Sequence, residues 1–436
     1  VAVGTEYRKE TFLDDRDPHL DGTITFTNSV TGAVSLSDVY GSSPTADAKG
    51  SREVSSLFGE MVVPLVSPVQ DMFLVQDLTI QLAARFEQFS DVGGNFKPRI
   101  AASWTLIPDV MFRASWQQGF RAPNLAQIHG DVSRAATVTD YVECEQNDES
   151  LTGDDCEDRS YRLENLRAGS KELESEDSEN LSFGVVIQPR FLYGLTLTVD
   201  YWQIKQENLV GILGDENQVL LDLYLRERGG CNPNVVRAES STTNCTSIAG
   251  AGQIMQIIDP YRNFEGRSLR GFDIGLEHSM PLFSGEFTLS ANAARLLEFD
   301  QDISPSVNQL VEAGYPTENA GSLLELDGRP KWRGTVNLRW RSDRFGIGAT
   351  WRYISSFNDS SATRTQDGER VYWRVASWQT VNLNLTYYIE NGPRLRLGIN
   401  NVEDKEPPLA DESFGYYGGI HNSIGRYIYF DMRMSF

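Results

Sequence analysis

An all-β, membrane-spanning antiparallel barrel is the fold class these 436 residues predict. Three observations carry it. Apolar residues recur at every second position, short and long connections alternate, and the chain stops on an alternating strand whose last residue is aromatic, Phe436.

Successive side chains of a strand point to opposite faces, so a period of two marks a strand with one apolar face. Leu78, Ile80, Leu82, Ala84 and Phe86 fall on one face; Thr79, Gln81, Arg85 and Glu87 fall on the other. Ile100, Ala102, Trp104 and Leu106 repeat the pattern, as do Val110, Phe112, Ala114 and Trp116. Leu181–Ile187, Leu195–Tyr201, Trp332–Arg341, Phe345–Tyr353, Val381–Tyr388 and Leu395–Ile399 continue it. About 14 such segments recur along the chain. A soluble sandwich also alternates, but it buries its apolar face between two sheets, and its loops are seldom all long at one end.

The connections supply the second observation. Ile107–Asp109, Pro189–Gly194 and Arg341–Arg344 are tight, whereas 13–50, 122–170, 212–252 and 298–328 are long and polar. Outer-membrane barrels have short turns on the periplasmic side and long loops outside. One helix is expected within a long loop, over Asn217–Arg228, where Val219, Leu220, Leu223 and Leu225 stand among polar residues. In the last strand, Ile428, Phe430, Met432, Met434 and Phe436 share one face.

Composition narrows the function. A net charge of −22 repels nucleic acid, so no nucleic-acid partner is expected. No apolar run approaches the ~18 residues of a spanning helix. Such a run is not needed in a membrane barrel, where only alternate residues face lipid. No G-x-S-x-G elbow, H-E-x-x-H, P-loop or dinucleotide fingerprint is present, so neither a catalytic centre nor a cofactor is predicted.

The four cysteines, Cys144, Cys156, Cys231 and Cys245, lie in polar, loop-like sequence without C-x-x-C spacing. No histidine lies near them, which argues against zinc and for disulfides in an oxidising compartment. Cys144–Cys156 and Cys231–Cys245 are the preferred pairs, with the crossed pairings left open. Between the first two stand Glu145, Asp148, Glu149, Asp154 and Asp155, with Glu143, Glu157 and Asp158 flanking. Such a tied acidic loop is expected to be a solvated exterior segment; whether residues 143–158 bind Ca²⁺ through hard oxygen ligands is left open. The loop between Cys231 and Cys245 is rich in Asn, Ser and Thr, residue types able to hydrogen-bond a saccharide.

Several motifs resemble those of TonB-dependent outer-membrane receptors, in that family's order. Ala2–Glu10 resembles a mid-barrel strand. Gly119-Phe120-Arg121-Ala122-Pro123-Asn124-Leu125 is similar to a run that closes a strand and enters an outer loop. Leu173–Asn180 resembles an L-x-P-E-x-S-x-N pattern, with Ser175 in place of proline. Val199–Ile204, a strand start at Arg270–Ile274, and the Gly398–Pro408 turn before the final strand complete the series.

The resemblance implies a barrel of about 22 strands filled by a plug. Residues 1–436 are then expected to be its C-terminal part, with the plug and first strands upstream of Val1. It also implies energised uptake through the TonB complex of a scarce, bulky extracellular ligand: a ferric siderophore, haem, cobalamin or an oligosaccharide. Partners in that reading are outer-membrane lipid and lipopolysaccharide, and the barrel-assembly machinery, which reads a terminal strand such as that of Phe430 and Phe436. A passive porin or secretion barrel, and a soluble β-rich lectin or hydrolase, are the alternatives. Arg99, Arg113, Arg333, Arg339 and Glu87 are expected to face a wet lumen. Trp104, Trp116, Trp332, Trp340, Trp351 and Tyr353 are expected to face lipid or its interfaces.

Overall fold

The computed structural model describes the chain apart from residues 28, 31, 33, 36, 38, 40–42, 71, 153, 239–247, 316, 318–320, 367–368 and 435–436, and apart from the side chains of 154 and 363–370. Among the described residues one 15-stranded antiparallel sheet dominates. Fourteen of its strands follow one another in sequence: β1 (Ala2–Asp14), β2 (Ala48–Val66), β3 (Asp77–Phe89), β4 (Gly93–Ile107), β5 (Val110–Arg121), β6 (Glu176–Ile187), β7 (Leu195–Glu207), β8 (Arg267–Leu282), β9 (Gly285–Gln301), β10 (Trp332–Ser342), β11 (Phe345–Ile354), β12 (Trp378–Tyr388), β13 (Arg394–Asn400) and β14 (Tyr427–Arg433). The short Gly321–Ser322 pairs with β9 at the side. The path does not close on itself; β1 and β14 are its edges.

Register brings like residues together on each face. Leu82, Ile100, Trp116 and Leu181 are cross-strand partners from β3 to β6 and form a row on the apolar face. Thr198, Gly275, Asn292, Thr335, Arg352 and Thr380 form a polar row on the other face, from β7 to β12. A one-residue slip would exchange the two faces, so the pattern itself pins the register.

Ion pairs concentrate on the polar face. Arg113 grips Asp200 through Nε at 2.7 Å and Nη2 at 2.5 Å. This pair spans Gly184, where an added Cβ would fall 1.9 Å from the Asp200 carboxylate. Glu87 accepts from Ser56 and Arg85, and Arg85 reaches Glu6. Arg333 donates to the Gly328 carbonyl. On the apolar face, Trp104 and Trp340 each donate an indole N–H to a carbonyl near a short turn, Leu74 and Leu282.

Some boundaries differ from the sequence expectation. The helix runs Asp215–Arg226 rather than Asn217–Arg228. Gly214 precedes it at φ 96°, and the Asp259 carboxylate holds the Gly214 N–H at 2.8 Å, fixing the earlier start. The strand that Arg270–Ile274 was expected to open begins three residues earlier, at Arg267, with a bulge between Arg270 and Gly271. Segments 355–377 and 401–426 also form large connections on the long-loop side.

One connection on that side is short: only Ser90–Val92 joins β3 to β4, with Gly93 at φ 82° making the turn. The segment after β5 leans back across it. Its helix Leu125–His129 begins with a capping box between Asn124 and Gln127, and packs on β2. There Gly50 leaves room for the His129 ring, and Arg52 donates to the Pro123 carbonyl at 2.7 Å.

Candidate functional site

The two loops that carry the cysteines fold into one unit. The first supplies a hairpin, Val132–Thr139 with Ser160–Arg167. The second supplies the helix Asp215–Arg226 and a second hairpin, Val235–Arg237 with Ile254–Ile257. Val138 from one loop packs with Val219, Val235, Ile254 and Ile257 from the other, flanked by Ala136, Tyr141 and Leu163. Leu220 and Leu223 are fully buried. Burying each such side chain contributes about 1.5–3 kcal/mol, so the loops form a small domain of their own, here called the cap.

A charged network sits inside it. Asp222, with no exposure, accepts from Arg226 Nε and Arg237 Nε, both at 2.9 Å, and from the Asn232 backbone N–H at 2.9 Å. Arg237 also forks onto Asp140 at 2.8 and 2.9 Å. Burial pulls the Arg237 guanidinium towards deprotonation, but the two carboxylates outweigh it and the net shift is upward. Asp140 caps the helix Tyr141–Gln146 as well. Asp259 holds the N–H groups of Leu213 and Gly214 and the Gln218 amide.

Cys144 and Cys156 are joined by a disulfide, with Cα atoms 5.3 Å apart, and both are buried. The Cys231–Cys245 expectation involves Cys245, which lies outside the described residues. In the acidic segment, Glu149 accepts from Arg159 at 2.7 Å and Glu143 from the Tyr161 hydroxyl at 2.5 Å. The hydrogen bond to Glu143, with burial, pushes the Tyr161 hydroxyl up to about 12. Among the described residues no group of three or more His, Cys, Asp or Glu is arranged to hold a metal ion.

The disulfide closes a short loop and is expected to contribute about 2–3 kcal/mol to the cap. Reduction should speed proteolysis around 141–159 and shift the electrophoretic mobility of the unfolded chain. Free thiols titrating at both positions before reduction would contradict the bond.

A second cluster covers the polar face further along. Phe357, fully buried, meets Tyr417 edge-on at 5.0 Å and stacks on His421 at 6.1 Å; Trp378 closes on His421 at 5.5 Å. Asp359 holds Ser361 and the Asp411 N–H, and Asp327 holds Ser360, so loops 323–330, 355–377 and 401–426 are tied together. Beneath them opens a cavity of about 850 Å³, whose lining includes Asp273, Asn292, Arg333, Arg352, Tyr416 and His421. A second cleft, of about 460 Å³, lies under the cap and is bordered by Arg134, Arg167, Asn217, Arg267 and Asp302. Asn217 Oδ1 and Arg267 Nε are buried without a protein partner there. Sequence reasoning singled out Arg333 but missed Arg352 and His421, which carry no local motif.

His421 is 4% exposed, and neither ring nitrogen has a protein partner. Burial first, and the charge of Arg333 second, lower its pKa below the usual 6.5. The imidazole is therefore neutral when the loops are packed, and an opened loop binds the proton more readily. Stability of the cluster is full above pH 6.5, falls as pH drops through that value, and reaches its minimum below the depressed folded pKa. Protection factors of amides in 401–426, corrected for the pH dependence of intrinsic exchange, should fall as pH drops from about 7.5 to about 5. His421→Phe should remove that fall; an identical pH response in the variant would show that other groups cause it.

The comparisons with known proteins agree with this architecture. The family model described as TonB dependent receptor-like, beta-barrel matches residues 2–402. Solved structures similar to the chain include the siderophore receptor PirA from Acinetobacter baumannii (16% identity, TM-score 0.60, covering 99% of this chain and 51% of that one). A mutant of the ferric enterobactin receptor PfeA from Pseudomonas aeruginosa is similar at 18% identity and TM-score 0.59, covering 99% and 50%. The ferripyoverdine receptor of Pseudomonas aeruginosa, bound to ferripyoverdine, is similar at 13% and 0.51, covering 93% and 41%. At these identities the likeness is one of fold, and the chain spans about half the length of the first two structures. No curated protein matches the chain by sequence. The match over residues 2–402, the two-faced sheet and the alternation of short turns with long loops lead to one assignment: this chain belongs to the TonB-dependent receptor β-barrel family and is an integral outer-membrane protein.

Proposed function

We propose that the chain forms the ligand-handling wall of an energised outer-membrane transporter, and that its cargo is a ferric siderophore. The cap carries this reading: two long loops, separated in sequence by a pair of strands, fold into one domain over a cleft of about 460 Å³, and a second cavity of about 850 Å³ opens under loops 323–330, 355–377 and 401–426. Those volumes match the ~300–1,000 Å³ typical of small-molecule sites. The siderophore receptors among the similar structures support the cargo class. In this reading residues 1–436 are the C-terminal part of a barrel of about 22 strands, completed by a plug that the TonB complex displaces. The protein acts in transport, not catalysis.

The test is uptake by cells carrying the full-length protein, with ferric siderophores, haem, cobalamin and an oligosaccharide compared, each carrying its own radiolabel (iron, iron, cobalt and carbon). Saturable siderophore uptake, abolished when the proton gradient is collapsed, is expected. Uptake of only one of the other solutes would replace the cargo class. Conduction of small solutes without an energy requirement would make the protein a passive pore.

Assembly is part of the same proposal. Phe430 stands 66% exposed on the apolar face of β14, as a residue read by the barrel-assembly machinery must. Phe436 lies outside the described residues. Deleting Phe436 is expected to lower the heat-modifiable, membrane-inserted fraction severalfold; unchanged insertion would refute the assignment of the terminal strand as an assembly signal.

A further inference from the structure

The apolar wall holds a recess that transport does not explain. It measures about 340 Å³ and is bordered by Leu78, Ala102, Trp104, Phe112, Ala114 and Phe183. Its shape follows from the register. Ala102 and Ala114 are direct cross-strand partners, so the floor carries only methyl groups. Trp104 and Phe112, the pair next along the same two strands, rise beside it with ring centroids 5.7 Å apart. Phe183 stacks on Phe112 at 6.2 Å and forms the far side. The indole N–H of Trp104 is committed to the Leu74 carbonyl at 3.0 Å, which leaves the ring's apolar surface for the recess.

We infer that this recess binds one acyl chain of a phospholipid from the inner leaflet of the outer membrane. Three observations favour that occupant. The recess is continuous with the row Leu82, Ile100, Trp116 and Leu181, the face that an integral membrane barrel turns to lipid. Apolar lining offers water none of the two to four polar partners it needs. Its depth is also specific. Trp104 and Phe112 flank the tight turn at Pro108–Asp109, so at ~3.4 Å per residue the recess lies within roughly 10 Å of the short-turn end. That end faces the periplasm, and acyl chains at that depth belong to phospholipid, not to lipopolysaccharide of the outer leaflet.

A charged group stands where the headgroup falls. Arg190, in the neighbouring turn between β6 and β7, is anchored to Asp109 through Nε at 2.6 Å while its side chain remains 73% exposed. It does not border the recess, but at the short-turn end beyond it the guanidinium suits a lipid phosphate, which accepts paired N–H donors.

The test uses the full-length protein, extracted from membranes in mild detergent and measured by native mass spectrometry. One phosphatidylethanolamine is expected to survive delipidation. Ala102→Leu with Ala114→Leu fills the floor and should abolish retention; Arg190→Glu should weaken it severalfold. If the double variant fails to insert, Ala102→Val supplies a milder filling. Quenching of Trp104 by phosphatidylethanolamine with brominated acyl chains, read as the difference from Trp104→Phe, should fall in parallel. Equal retention and quenching in filled and unfilled proteins would reduce the recess to ordinary annular contact and overturn the inference. A second copy of the chain, released by the filling variants, would overturn it in favour of a dimer interface. Neither outcome bears on the transported cargo.

Discussion

Replacing Asp222 by alanine is expected to unfold the cap while leaving the strand ladder intact. Asp222 is the common acceptor for two buried guanidinium groups and one backbone N–H. Its removal takes the carboxylate from Arg226 in a buried site and leaves Arg237 with Asp140 and the Gly252 carbonyl. The argument does not need the ion pairs to be net stabilising. Withdrawing one partner from a buried pair costs about 3–5 kcal/mol because the remaining charge stays desolvated. At 1.4 kcal/mol per tenfold, local opening should rise by about two to three orders of magnitude. Hydrogen exchange and limited proteolysis across 130–260 read this directly, and the heat-modifiable barrel band serves as the internal control. Asp222→Asn keeps an acceptor for the Asn232 N–H and should lie between the two. Unchanged protection in the alanine variant would mean that the network is dispensable to the cap.

Phe357→Ala is expected to have the second largest effect, on the other side of the mouth. Its ring is fully buried and joins those of Tyr417 and His421. Emptying such a site costs about 3–5 kcal/mol. Loops 355–377 and 401–426 should then separate, although Asp359 and Asp327 still hold their serines. The 850 Å³ cavity would lose its cover, so ligand affinity should fall together with protection of residues 401–426. Phe357→Leu should recover most of both. A loss of affinity without a loss of protection would place Phe357 in direct ligand contact instead.

The ladder was legible in the sequence because its signal is local. Leu78–Phe86 or Leu195–Tyr201 announces a strand within a few residues, and the turn at Pro108–Asp109 announces its partner. The cap was not legible, because its decisive contacts have no period. Arg237 and Asp140 are 97 positions apart, and Asn165 meets Ile257 across 92. Only the helix stood out, since Val219, Leu220 and Leu223 still follow helical spacing. His421 gave no signal either. A lone histidine in a Gly- and Tyr-rich stretch reads as a loop residue until Phe357 and Trp378 are seen against it. The strand glycines show the same limit: an added Cβ at Gly4, Gly184 and Gly398 would strike Phe58, Asp200 and Tyr429, neighbours that only the paired strands bring there.

The short connection at Ser90–Val92 has a mechanical consequence. Because no tall loop rises there, the segment at Pro123–His129 can cross the gap and fasten to β2 through Arg52. The cap is fastened at the opposite side as well, where Glu176 of β6 accepts the Val210 N–H at 2.8 Å. A structure fixed at two separated supports behaves as a roof beam, not as a hinged door. For the uptake proposed above, swinging the cap aside would require both supports to break. In the proposed transporter, loops 355–377 and 401–426 are then the parts expected to open, the second of them on protonation of the buried His421, whose pKa burial lowers.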